Sequence, residues 1–356
     1  MIVKTLTLKN FRNHSFISYD FSDKLNILTG PNAAGKTNVV EAIYYLSLAR
    51  SFRTSEDVDL ILKGKDKAEI YAVCAEGQLD RKIRIIISEA GKQVFINNKP
   101  ISKLSELSNC MNVVLFEPKD VMLFRGLPKA RRNFIDINLS KKSQPYFDYI
   151  TRYNKVLKER NELLKSDNVD PVLLETTTEM LVKLSGPIVS YRQMYVKDIN
   201  DILNKITRAL TGEEGTLEIN YKPFVEYDKD FQTAALQAFK RAEDGDLRRK
   251  VTSIGIHRED LSIALNGRDI GQFGSQGENR IVALALKLSP YFLIEDKDKR
   301  PVVVLDDVMS ELDLAHRQRL IKFLKKFDQV FITATKLEVD GASQYRIKAK
   351  NAKEDF

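Results

Sequence analysis

The chain has 356 residues, 43% hydrophobic and 30% charged, a globular balance and not a disordered one. Its formal net charge of +8 at pH 7 favours an anionic partner such as nucleic acid. Two cysteines, Cys74 and Cys110, exclude a disulfide framework, and no apolar run approaches the ~20 residues of a membrane span or forms a signal-peptide core. A cytoplasmic protein with no membrane partner is the expectation.

In chain order, "IVKTLTL" alternates like a strand and "KLNILTG" is a short apolar run closed by glycine. After "GPNAAGKT", Val39, Val40, Ile43, Tyr44 and Ser47 have helical spacing. "EIYAVCAEG", "RKIRIIISEAG" and "KQVFINNKPI" predict an antiparallel meander, and "MNVVLFEP" a buried strand stopped by Pro118. From about residue 130 the pattern turns helical. Ile150, Tyr153, Leu157 and Leu164 form one stripe, and Leu181, Leu184, Ile188, Tyr191, Tyr195, Ile199, Ile202 and Ile206 form a second. Gly186-Pro187 predicts a kink or break in the second, which limits any unbroken helix to some 20 residues, or ~30 Å. A third helix spans about 230 to 252. "DLSIALNGRDI" carries an Asn-Gly hairpin signal, "PVVVLDD" reads as a central parallel strand, a helix follows from Leu314, and "QVFITAT" is a last strand. This order predicts an α/β head interrupted by a helical lobe: head at 1–130, lobe at 131–250, head again at 251–356.

"GPNAAGKT" fits G-x-x-x-x-G-K-[ST] at Gly30, Gly35, Lys36 and Thr37. Glycines let backbone N–H groups turn inward around a phosphate, Lys36 brings a charge to the outer phosphates, and the Thr37 hydroxyl can ligate magnesium. Gly30, Pro31, Asn32, Ala33, Ala34, Gly35, Lys36, Thr37 and Asn38 are therefore expected to hold ATP or GTP. "VVVLDD" puts Asp306 and Asp307 at a strand tip, where α/β proteins bind ligands. Asp306 is the expected Mg2+ partner of Thr37. Asp307 is the group expected to orient or deprotonate water, with Lys36 as the second catalytic residue. "GSQGENR" opens an apolar helix. Taken alone it is an ordinary helix start, but its amides and positive helix end also suit an anion. With one phosphate loop already in the head, Ser275, Gln276 and Gly277 make most sense against the nucleotide of a second subunit.

Phosphate loop, long insertion, Ser-x-Gly-[EQ] loop and double-acid strand followed by "SELD" together resemble the ABC-type ATPase head shared by transporters and SMC proteins. The match is closer to the RecF family of bacterial DNA replication and repair proteins. It rests on "LTLKNFRNH", "GPNAAGKTNVVEAIYYLSLARSFRT", "FEPKDVMLFRGLPKARRNFID", "YNKVLKERNELLK", "GIHREDL", "SQGENR" and "VVVLDDVMSELD" in the same order. Ile256, Glu259 and Asn279 depart from the residues usual there. The resemblance implies an ABC-type P-loop ATPase head with a mixed sheet and an inserted helical lobe. It implies ATP with Mg2+, a homodimer formed on ATP binding in which Ser275 and Gly277 contact the opposite γ-phosphate, and Ser310 to Asp313 as the D-loop. Arg12 and Asn13 become candidates for the base or phosphate edge, and Glu117 to Asp120 takes the place of the Q-loop without its glutamine.

By the same resemblance the protein would be a weak ATPase, using slow hydrolysis to release duplex, gapped or single-stranded DNA in recombinational repair, replication restart and the SOS response. It would direct recombinase loading with a RecR-type partner. A transporter subunit would carry a histidine where "FITATK" stands, and an SMC structural protein would need far longer helical arms. Between Arg125 and Lys165, eleven Lys and Arg oppose four acids, nearly all of the net charge. That stretch suits a DNA-backbone footprint without base reading; Arg131 and Arg132 lean slightly toward it, the alternative being that they pair with acids near "NFID" and hold the lobes together.

Overall fold

The computed structural model describes residues 1–348, without the side chains at 105 and 108; residues 349–356 of the predicted third segment lie outside that description. The strands are β1 (Ile2–Phe11), β2 (His14–Asp20), β3 (Leu25–Thr29), β4 (Lys67–Glu76), β5 (Leu79–Ser88), β6 (Gly91–Ile96), β7 (Lys99–Pro100), β8 (Val113–Phe116), β9 (Leu217–Lys222), β10 (Asp260–Leu265), β11 (Arg268–Asp269), β12 (Val302–Leu305), β13 (Val330–Ala334) and β14 (Ser343–Arg346). The helices are α1 (Lys36–Leu48), α2 (Ser105–Cys110), α3 (Pro128–Lys142), α4 (Gln144–Lys165), α5 (Pro171–Thr211), α6 (Phe231–Arg249), α7 (Ile270–Phe273), α8 (Gln276–Phe292) and α9 (Leu314–Leu324). Among the described residues no helix is long and apolar enough to cross a membrane.

The chain divides into two compact units, residues 1–120, 206–213 and 284–356 in the first and 121–205 and 214–283 in the second. This differs from the predicted segments. Residues 251–283 group with the second unit because β10 pairs along its whole length with β9, which lies in the insertion.

Among the described residues the first unit holds two sheets. One is antiparallel, in order β2-β1-β4-β5-β6-β7, and the other is parallel, in order β14-β3-β13-β12-β8. Parallel and antiparallel pairing thus occupy separate sheets. Helix α1 packs against β1 of the first and β8 and β13 of the second. Val39, Val40, Ile43 and Leu46 are fully buried there, each contributing roughly 1.5–3 kcal/mol. That anchoring fixes the start of α1, where the phosphate loop ends.

In the second unit the α4 stripe runs through Ile150, Tyr153, Val156, Arg160 and Leu164. Leu157, expected on it, is only half-buried, because the turn drifts by one position over this length. Helix α5 runs unbroken for 41 residues, about 60 Å, through Pro187, which corrects the expected break and the 20-residue limit. Pro187 removes one N–H, and nearby the Ser185 hydroxyl donates to the Leu181 carbonyl at 2.7 Å. Buried side chains recur from Leu174 to Leu210, so α5 is a core helix and not a solvent-borne arm. Asn200 of α5 donates to the Ile219 carbonyl and accepts from the Ile219 amide, closing the free edge of β9.

Two arginines are buried in this unit. Arg160 bonds Asp246, Thr252 and Thr178, and Arg192 bonds Asp136 and Glu259. Both lie at helix positions where spacing alone predicts apolar residues. Burial lowers His257 to about 4; it stays neutral between Tyr153 Oη and the Thr252 carbonyl.

Arg131 does not belong to an open basic surface. Arg131 makes a paired contact to Asp260 at 2.8 and 2.9 Å and donates to the carbonyls of Leu123, Phe124 and Gly126. Arg132 donates to the Glu259 carbonyl. The lean toward a DNA role is overturned for Arg131, since a guanidinium spent on a carboxylate and three carbonyls has little left for phosphate.

Candidate nucleotide-binding site

Strand β3 ends at Thr29 and α1 starts at Lys36, so the phosphate loop is the turn between them. Gly30 has φ +154° and Gly35 φ +100°, and both positions are also sterically closed. A Cβ at Gly30 would lie 2.3 Å from the Ile347 carbonyl oxygen, and one at Gly35 2.6 Å from both Asn13 Oδ1 and His14 Nε2. Ala33 takes the left-handed region at φ 64°, while Pro31 and Asn32 are exposed and Ala34 is buried. Lys36 folds back onto its own loop, its Nζ donating to the Gly30 and Pro31 carbonyls at 2.8 Å each. Gly35 caps α1 without a side-chain acceptor, leaving the positive helix end for an anion.

The acid pair emerges beside this loop because β3, β13 and β12 are parallel neighbours and deliver their carboxyl ends to one edge. Thr37 Oγ1 donates to Asp306 Oδ1 at 3.1 Å, and Thr333 Oγ1 of β13 donates to the same oxygen at 2.7 Å. Burial pushes the Asp306 carboxyl above its ordinary range, while the Thr333 and Thr37 hydroxyls pull it down and Asp307 pushes it up. Asp307 is exposed at φ 50°, with its amide donating to Thr333 Oγ1 at 2.9 Å and its carbonyl accepting from Ser310. The two carboxylates are therefore unequal, one buried between hydroxyls and one in solvent. In the "SELD" stretch, Asp313 caps α9 by accepting from the His316 amide.

Arg12 and Asn13 lie behind the loop. Arg12 makes two bonds to the buried Glu41, at 2.9 and 2.6 Å, and one to the Asp59 carbonyl. For Arg12 to reach a base or phosphate it must leave Glu41. Asn13 donates to the Ala34 carbonyl and accepts from Asn38, and His14 Nε2 lies 3.2 Å from the Gly35 carbonyl oxygen. Arg53 bridges Asn38 and Glu41, and Ser51 donates to Glu41. Sequence reasoning missed Thr333, Glu41, Arg53 and His14 as parts of this site. Only Glu41 carried a signal, an acid one turn into a helix that is otherwise apolar on that face. In the Q-loop place, Asp120 holds Lys287 at 2.8 Å and Glu117 pairs with Lys119.

In the second unit, Ser275, Gln276 and Gly277 are exposed at the start of α8, and a Cβ at Gly277 would meet nothing within 4 Å. The Ser275 hydroxyl accepts from the Glu278 amide at 3.2 Å and the Glu278 carboxylate accepts from the Ser275 amide at 2.8 Å. This is a capping box, so the ordinary helix start is present together with an open anion-facing surface.

A parallel sheet bearing a phosphate loop and an acid pair at one edge, an adjoining antiparallel sheet, and a Ser-x-Gly loop opening a helix define an ABC-type P-loop ATPase head. The profile of the RecF/RecN/SMC N terminal domain matches residues 2–354. The DNA replication and repair protein RecF of Lactobacillus delbrueckii subsp. bulgaricus is 34% identical over 98% of this chain and 94% of its own length. The solved structure of the recombination mediator protein RecF with ATP in the RecFOR pathway aligns at TM-score 0.88 and 30% identity, covering 98% of this chain and 97% of that one. An SMC head bound to the C-winged helix domain of ScpA aligns at TM-score 0.57 and 16% identity, over 94% of this chain and 89% of that one, a likeness of fold alone. The chain belongs to the RecF/RecN/SMC family and, within it, to the RecF proteins of DNA replication and repair.

Proposed function

We propose that the protein is an ATP-gated DNA-binding switch. Magnesium-ATP on the phosphate loop of one copy is completed by Ser275 and Gly277 of a second, and the resulting homodimer holds DNA near gaps. The observation that carries this reading is the Thr37–Asp306–Thr333 cluster beside Lys36, a phosphate cradle with oxygen ligands at its edge. Thr37 Oγ1 and Asp306 Oδ1 lie 3.1 Å apart, near the roughly 3.0 Å between neighbouring oxygens in an octahedron of ~2.1 Å bonds. That spacing suits magnesium, which takes few protein ligands and fills its shell with phosphate oxygens and water. When bound it would offset charge on the outer phosphates. Lys36 leaves its two carbonyls to meet those phosphates, and the exposed Asp307 orients the attacking water. Hydrolysis is slow and releases the DNA. The RecF-ATP structure supports the nucleotide, and the pathway it belongs to supports a RecR-type partner and a part in recombinase loading.

The test is molecular mass by light scattering with and without ATP. Wild type changes from one chain to two on ATP, and Ser275→Arg stays at one chain while retaining ATP affinity in dilute monomer. Equal loss of ATP affinity in that variant would mean the loop acts within its own chain, and the dimer would be abandoned.

DNA contact is assigned to α4, where Arg152, Lys155 and Lys158 are exposed at three-residue spacing. Replacing all three with alanine lowers the slope of log affinity against log salt by up to about 2.7, at about 0.9 per phosphate. An unchanged slope moves the DNA site to another surface.

A further inference from the structure

The exposed loop that opens α8 is held from two directions. The Gly274 carbonyl accepts Arg125 Nη2 at 2.6 Å and Asn279 Nδ2 at 2.9 Å, and Asn279 Nδ2 also reaches the Ser275 carbonyl at 2.8 Å. Gly274 has no room for a side chain, because a Cβ would lie 2.5 Å from the Ile270 carbonyl oxygen and 2.8 Å from Asn279 Nδ2. A Cβ at Gly271 would lie 2.7 Å from the Phe124 carbonyl oxygen, so the approach to the loop rests directly on the segment that carries Arg125. That segment is itself fixed: Gly126 donates to the Met122 carbonyl, and Arg131, paired with Asp260, binds the carbonyls of Leu123, Phe124 and Gly126. Every group in this chain of contacts belongs to the second unit.

We infer that Arg125 is a positioning residue for the Ser275–Gly277 loop, an inference that rests on the proposal that this loop meets the nucleotide of a second copy. A loop that accepts a phosphate must present amides and hydroxyls and turn its carbonyls away, since a carbonyl oxygen repels an anion. Arg125 and Asn279 together hold the Gly274 carbonyl inward. Asn279 acts from within α8 and is buried, so it forms part of the helix start. Arg125 is exposed and comes from a distant part of the sequence, so it can be removed without opening a core.

The experiment compares Arg125→Ala, Arg125→Lys and Ser275→Arg, measuring ATP affinity in dilute monomer, melting temperature, and the ATP-dependent dimer dissociation constant. Arg125→Ala leaves ATP affinity unchanged, lowers the melting temperature by no more than about 2–4 °C, and weakens the dimer roughly 100-fold, because one charge-assisted hydrogen bond is worth about tenfold and a two-fold dimer loses it twice. Arg125→Lys, which keeps a donor, recovers most of that loss. If Arg125→Ala dimerises like wild type while Ser275→Arg does not, the positioning role is wrong and the dimer reading stands. If Ser275→Arg also dimerises like wild type, the dimer reading itself falls. A lysine variant no better than alanine, or an alanine variant whose melting temperature falls by more than about 4 °C, overturns the inference in favour of a bulk structural effect.

Discussion

Lys36→Met weakens nucleotide binding by about 30- to 1000-fold while leaving the melting temperature of the protein within about a degree or two of wild type. Lys36 Nζ is satisfied by the Gly30 and Pro31 carbonyls, so its charge costs the fold little and stabilises it little. The methionine is close in length and leaves the Pro31 carbonyl to water at the exposed part of the loop. With nucleotide the situation reverses. Lys36 is the cation that the loop itself brings to the outer phosphates, and a charge-assisted contact to phosphate in this shielded cradle is worth roughly 2–4 kcal/mol, a loss of about 30- to 1000-fold in affinity. Titration with a fluorescent ATP analogue, paired with a thermal melt, separates the two states. Wild-type affinity in Lys36→Met would move the nucleotide away from this loop.

What could be read in the sequence was what chemistry forces to be contiguous. A phosphate cradle needs Gly30, Gly35, Lys36 and Thr37 within one turn, and a metal-bearing strand tip needs an acid after an apolar run, so both stood out at once. Thr333 did not, because its place beside Asp306, on the same oxygen as Thr37, depends on β13 lying between β3 and β12, and strand order is not written in any local pattern. The brace formed by Arg12, His14, Glu41 and Arg53 is hidden for the same reason: three separate segments meet there. Spacing found the helices but misjudged their continuity. Gly186-Pro187 satisfies every local rule for a break, yet with a buried stripe on both sides α5 continues through it without interruption. Charge was the least legible property. Arg131 looked like part of a basic run, and only its partner 129 residues away in sequence shows that it is internal.

Arg192→Met destabilises the second unit by about 3–5 kcal/mol at pH 7, the loss expected when one partner of a buried ion network is removed. Arg192 is 2% exposed and faces Asp136 on one side and the fully buried Glu259 side chain on the other. Methionine fills most of the volume, so the loss is electrostatic and not a cavity. Burial already pushes the Glu259 carboxyl upward, and Arg192, Tyr221 and the Phe224 amide pull it down. The carboxyl is already raised in the wild type, and without Arg192 that upward shift grows, so the folded variant takes up a proton that the unfolded chain, near 4.5, does not yet hold. A folded-state pKa raised in this way penalises the fold only above the unfolded value. The deficit against wild type is therefore largest at neutral pH and shrinks as pH falls toward 4.5. Adding Glu259→Gln, which removes the charge and keeps an acceptor for Tyr221 and Phe224, recovers part of the stability at pH 7 and flattens the pH dependence. Urea denaturation of the single and double variants at pH 7 and pH 5 reads both effects. A deficit below about 1 kcal/mol, or one that does not change with pH, would show that Glu259 does not depend on Arg192 for its charge.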